Sequence, residues 1–136
     1  MIIEKKEPWK LFAEEAEEIF DFVTKQKSGK ELFTPLILYN LLYIGIKKYL
    51  IAYLLYNNVV LKSCTIKEYV DSVKESIDME DELYNNLLHI DEFQDICEVN
   101  LSYRKIPDKC DVDRFFTSLH SLRKIVLEKI PDYKAF

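Results

Sequence analysis

The sequence feature that most constrains the fold is a stretch from residue 36 to residue 56 that is apolar on nearly every side of a helix. Such a helix is either buried at the centre of a protein or spans a membrane, and a helix of this length could do either. However, Asn40, Gly45, Lys47 and Lys48 fall in its middle. Two adjacent lysines at the centre of a bilayer are costly, so we predict a buried central helix and no membrane span.

The composition indicates that this central helix is surrounded by other helices. The chain has 136 residues but only 2 glycines and 4 prolines. Proteins built from β-strands need many turns and usually more of both residues, so their scarcity favours long helices with few connections. The length suits one domain, which we assign to residues 1–136.

Signals for helix boundaries divide the rest of the chain. Thr34 and Pro35 are typical of the N-cap and the first position of a helix, and they precede the central helix. The stretch Thr65-Ile66-Lys67-Glu68 predicts a capping box that opens a third helix. Asp78 is predicted to cap a fourth helix that runs on through Phe93, Ile96 and Cys97, with a possible break near Asp91.

The first and last helices each show one apolar face. Apolar residues recur at intervals of three and four between Trp9 and Val23, after a proline that suits a first turn. The acids on the opposite face of this helix are interpreted as solvated, since no histidine follows them at di-iron spacing. Asp111 or Asp113 is predicted to cap the last helix. We therefore predict an all-α fold, an up-and-down bundle of four to five helices around a buried apolar central helix.

Charge and cysteine usage limit the classes of function. The net charge is −5, which disfavours broad nucleic-acid binding because phosphate backbones are bound by clustered Lys and Arg. Cys64, Cys97 and Cys110 are odd in number and lack short paired spacing, so we expect reduced thiols. The stretch from Met1 to Glu7 turns charged at once, which is not typical of a signal peptide. These features predict a cytoplasmic protein.

Four features of this layout together resemble the HEPN domain, the "higher eukaryotes and prokaryotes nucleotide-binding" helical bundle. An acid-rich amphipathic helix comes first, followed by a tyrosine-rich apolar helix with Lys-x-x-Leu-like spacing over residues 39–51. A short capped helix follows over residues 65–76. A Tyr-Arg-x-x-Pro-Asp loop over residues 103–108 then runs into the last helix. The resemblance covers roughly residues 8–130, in layout more than in invariant motifs.

The resemblance implies one of two roles. Many HEPN proteins are small partners of a minimal nucleotidyltransferase, and bind its substrate or pair with it as toxin and antitoxin. Others are ribonucleases with an Arg-x4–6-His motif at a dimer interface, in which a polar residue usually follows the arginine. Arg114 and His120 have the spacing of that motif, but Phe115 follows the arginine. Six residues turn a helix by about 600°, so the two side chains converge only if Arg114 lies in a frayed first turn.

The loop before the last helix contains the remaining candidates for ligand binding. Tyr103 is expected to stack on a base and Arg104 to hold a phosphate, with Asp108 at the end of the loop. Lys47 and Lys48 offer a second positive point if they line a groove. The alternative is that Tyr103 packs the loop onto the bundle, that Arg104 pairs with an acid and that the two lysines are solvated.

No sequence pattern indicates a metal or cofactor site, because no His-x-x-His, Glu-x-x-His, Cys-x-x-Cys or glycine-rich phosphate loop occurs.

The central helix carries five tyrosines, whose hydroxyl groups require partners when buried. Since interfaces favour tyrosine, we predict a homodimer. The five are Tyr39, Tyr43, Tyr49, Tyr53 and Tyr56.

The leading hypothesis from sequence is a non-catalytic module that binds a nucleotide or a partner protein. It would act with a separate minimal nucleotidyltransferase, as toxin–antitoxin pairs do, and would need no cofactor. Two alternatives remain open. One is a HEPN ribonuclease that uses Arg114 and His120, and the other is a protein-interaction bundle without nucleotide chemistry.

Overall fold

The computed structural model describes residues 8–28, 33–61, 65–93 and 106–130. Within these ranges the chain forms five α-helices and one 3-10 turn, and no strand. The helices are α1 (Pro8–Ser28), α2 (Pro35–Tyr56), α3 (Ile66–Lys74), α4 (Asp81–Ile90) and α5 (Lys109–Lys129), and the 3-10 turn Asp91–Phe93 follows α4. The predicted all-α helical bundle is confirmed.

Helix α2 lies at the centre of the bundle, packed against α1, α3 and α5. It begins as the sequence predicts: the Thr34 hydroxyl accepts a hydrogen bond from the Ile37 N–H at 3.3 Å, and Pro35 follows the cap. Although α2 is long and apolar enough to cross a membrane, 56% of its most hydrophobic window is buried inside the protein. That burial is typical of the core helix of a soluble protein, which supports the predicted central helix; cytoplasmic location stays a prediction.

Gly45 sets the distance between α2 and its neighbours. A Cβ atom at this position would lie 3.0 Å from Cγ2 of Ile19 on α1 and 3.4 Å from Cδ1 of Leu119 on α5. The distance to Ile19 is shorter than most Cβ contacts in proteins, whereas the distance to Leu119 is ordinary van der Waals contact, so glycine mainly allows the close approach of α1 to α2.

The start of α3 agrees with the sequence-based prediction. The Thr65 hydroxyl accepts a hydrogen bond from the Glu68 N–H at 3.3 Å, which is one half of the predicted capping box. A second acceptor comes from the 3-10 turn, since Oδ2 of Asp91 lies 3.1 Å from the Lys67 N–H. Asp91 therefore ties the end of α4 to the beginning of α3.

Two predicted helix starts are wrong. Helix α4 is capped by Glu80 rather than Asp78, and its cap has no side-chain hydrogen bond. Helix α5 is capped by Asp108 rather than by Asp111 or Asp113. The Asp108 Oδ1 atom accepts a hydrogen bond from the Asp111 N–H at 2.9 Å, and the Asp111 Oδ2 atom accepts one from the Asp108 N–H at 3.0 Å. This reciprocal pair starts α5 three residues earlier than a cap at Asp111 would. The predicted continuation of α4 beyond Phe93 lies outside the described residues.

Candidate functional site

The carboxylate of Glu17 lies between α1, α2 and α5 and accepts three hydrogen bonds. Arg123 on α5 donates to it twice, from Nε to Oε1 at 2.6 Å and from Nη2 to Oε2 at 3.0 Å. The hydroxyl of Tyr49 on α2 donates to Oε1 at 2.6 Å. One carboxylate therefore joins three helices, and the prediction that the acids of α1 form a solvated face is wrong for Glu17, whose side chain is only 14% exposed.

This arrangement changes the acid–base properties of its members. Burial raises the pKa of Tyr49 far above its usual range, and the hydrogen bond and negative charge of Glu17 raise it further. The same carboxylate raises the pKa of Arg123 through its hydrogen bonds and its charge. Both donors therefore stay protonated at neutral pH, which suits a structural tie between helices rather than a proton-transfer site.

A cleft of about 580 Å³ opens beside this tie. Its lining consists of Glu14, Glu17, Glu18, Phe20, Asp21 and Arg123. The Arg123 guanidinium lies over the Phe20 ring, 4.5 Å from its centroid, and is matched by Glu17. With four carboxylates against one arginine, the cleft disfavours a phosphate group. The described residues contain no group of three or more His, Cys, Asp or Glu side chains placed to hold a metal ion.

Arg114 and His120 both lie inside α5 and not in a frayed first turn. The helix is continuous from Lys109 to Lys129, so six helical residues separate their directions by about 120°. Arg114 Nη2 donates to Asp111 Oδ1 at 2.9 Å. The His120 ring lies 5.7 Å from the Phe20 ring on α1. Within one chain the two side chains therefore have different neighbours, which disfavours their use as a pair.

Lys47 and Lys48 lie on two different sides of α2 rather than along one groove. Lys48 forms an ion pair with Glu15 on α1, and its ammonium group lies 5.3 Å from the centroid of the Phe12 ring. Lys47 lies near Asp91 after α4. Burial raises the pKa of Asp91, against the opposing effects of the Lys67 N–H, the Lys47 charge and the Tyr43 hydroxyl. Both lysines thus have carboxylate neighbours within the bundle.

The loop candidates are only partly placed by the structure. Tyr103 and Arg104 lie outside the described residues, so their roles stay predictions. Asp108 is exposed, and its carboxylate is engaged in the cap of α5. A role in ligand binding would compete with that hydrogen bond.

The tyrosines of α2 have partners inside the chain. The Tyr39 hydroxyl donates to the backbone oxygen of Ile90 at 2.6 Å, and the Tyr53 hydroxyl lies 2.7 Å from Ser76 Oγ. Tyr49 donates to Glu17 as described above. Because these three hydroxyl groups are satisfied within the fold, they no longer argue for a dimer interface, and the homodimer stays a prediction.

Sequence reasoning missed a set of exposed apolar side chains on the α1–α2 pair. Five large apolar side chains there are between 40% and 44% exposed. We call this surface the seam face, and it consists of Leu11 and Phe22 on α1 with Leu36, Ile37 and Ile44 on α2. Clustered exposed apolar side chains are a common mark of a binding surface.

Helix geometry aligns most of these side chains within their own helix: Ile37 and Ile44, seven positions apart, point within about 20° of each other, whereas Leu36 points about 80–100° away from them. Leu11 and Phe22 are eleven positions apart, so they point within about 20° of each other. Glu15 lies one turn beyond Leu11, and Lys48 lies one turn beyond Ile44. The ion pair of Glu15 with Lys48 crosses the seam between the two stripes and brings them together.

Comparison with known proteins does not identify the chain: no protein-family model, curated protein or solved structure matches it.

Proposed function

We propose that this chain is a non-catalytic helical module that binds a partner protein, and that the partner is a separate minimal nucleotidyltransferase. The observation that carries partner binding is the seam face, where five large apolar side chains meet solvent. The identity of the partner rests on the resemblance of the sequence layout to the HEPN domain.

The charged residues proposed to bind a nucleotide already interact with other groups of the bundle, which favours partner binding over nucleotide binding. Lys48 is paired with Glu15, Lys47 lies near Asp91, and Asp108 caps α5. A phosphate group would have to compete with these carboxylates for the lysines. Nucleotide binding therefore depends mainly on Tyr103 and Arg104.

The test of this proposal is co-purification from the lysate of the native organism, with the recovered proteins identified and quantified by mass spectrometry. We expect a small nucleotidyltransferase in near-equal amount to the tagged chain. Recovery of the tagged chain alone, or of unrelated proteins only, would contradict the proposal and favour the general protein-interaction bundle.

Nucleotide binding is tested separately by thermal shift. A ligand that binds only the folded state raises stability by RT ln(1 + [L]/Kd), so a binding nucleotide raises the midpoint at millimolar concentration. We expect no shift with ATP or GTP for the isolated chain. A shift that Arg104→Ala removes would restore the nucleotide role.

The ribonuclease alternative has a simple assay. Because Arg114 and His120 diverge along α5, we expect no RNA cleavage above background from the purified protein. Cleavage that is present in the wild type and lost in His120→Ala would show that the pair acts, for example across two copies of the chain.

A further inference from the structure

We draw no further inference here: the strongest candidate, the apolar cleft of about 710 Å³ between the start of α1 and the α2–α3 connection, where Val60 is 76% exposed, carries none because the described residues that line it are uncharged and nothing in the structure shows what covers it.

Discussion

Glu17 on α1 and Arg123 on α5 are 106 residues apart in the sequence, and they form two hydrogen bonds, of 2.6 and 3.0 Å, across the bundle. Tyr49 of the central helix donates to the same carboxylate. The first and last helices of the bundle are therefore held to each other and to α2 through a single side chain. This tie lies beside the cleft that Phe20 also lines.

The first prediction concerns the stability contribution of this tie. Glu17→Gln keeps the size of the side chain but leaves Arg123 without its carboxylate partner. Breaking a buried ion pair from one side costs about 3–5 kcal/mol, and we expect about 3 kcal/mol because the Arg123 side chain is 26% exposed. The measurement is urea denaturation at neutral pH.

The control for this prediction is Glu18→Gln, the exposed neighbour on the same helix. It should change the free energy of unfolding by less than about 0.5 kcal/mol. If Glu17→Gln is as stable as Glu18→Gln, the hydrogen bonds of Glu17 contribute nothing to the folded state.

The second prediction is an alkaline loss of stability that depends on Tyr49. In the folded protein, burial and Glu17 raise the pKa of Tyr49 above that of an unfolded tyrosine, which is about 10. The folded state keeps this proton when the unfolded state loses it, so the stabilising contribution is complete below about pH 10. Above pH 10 it falls by about 1.4 kcal/mol per pH unit.

The variant Tyr49→Phe removes the ionisable hydroxyl. We expect it to be less stable than wild type at pH 8 by about 1.5–3 kcal/mol, because a hydrogen bond to a charged group is lost. Between pH 10 and 11.5 its free energy of unfolding should fall less steeply than that of wild type, as measured by urea denaturation across the pH range. Parallel curves for the two proteins would show that another group dominates the alkaline transition.

Several parts of the fold follow from the sequence because they depend on local interactions. The all-round apolar pattern of α2 predicts its central position, and the hydroxyl groups of Thr34 and Thr65 cap the helices that they precede. Each of these features needs only residues close in sequence. The starts of α4 and α5 were predicted less well because several acids close together are chemically able to cap. The reciprocal bonds between Asp108 and Asp111 decide the position of the α5 start.

The tie between helices was not predictable in the same way. Glu17 lies four residues after Ala13 and three before Phe20, at the margin of the apolar stripe of α1, and this position is a weak signal that it is less exposed than the other acids. Nothing local identifies Arg123 or Tyr49 as its partners, since these contacts depend on the register of three packed helices. The exposed seam face was missed for a related reason: α2 is apolar all round, so its sequence does not show which side remains uncovered.

The third prediction tests the close approach at Gly45. Alanine in place of glycine gains about 1 kcal/mol of helix propensity, but its Cβ would lie 3.0 Å from Cγ2 of Ile19. Overpacking of this kind costs about 1–3 kcal/mol, so we expect Gly45→Ala to be destabilising by about 1 kcal/mol.

A double-mutant cycle with Ile19→Ala isolates the contact, since that substitution removes the Cγ2 atom. Gly45→Ala should be tolerated better in the Ile19→Ala background, with a coupling energy of about 1–2 kcal/mol in urea denaturation. Simple additivity of the two substitutions would mean that the close approach to Ile19 does not limit the residue at position 45.

The last prediction concerns the start of α5. Asp108→Ala removes the side-chain acceptor of the reciprocal pair, and loss of an N-cap of this type costs about 1 kcal/mol. Asp113 is already inside the helix, so Asp113→Ala should cost less in the same urea denaturation measurement. If Asp113→Ala is the more destabilising substitution, α5 starts later in solution, and Arg114 then lies close enough to the helix end to turn toward His120. The cap therefore bears on function as well as stability, because a helix that begins at Lys109 holds the two candidate ribonuclease residues apart.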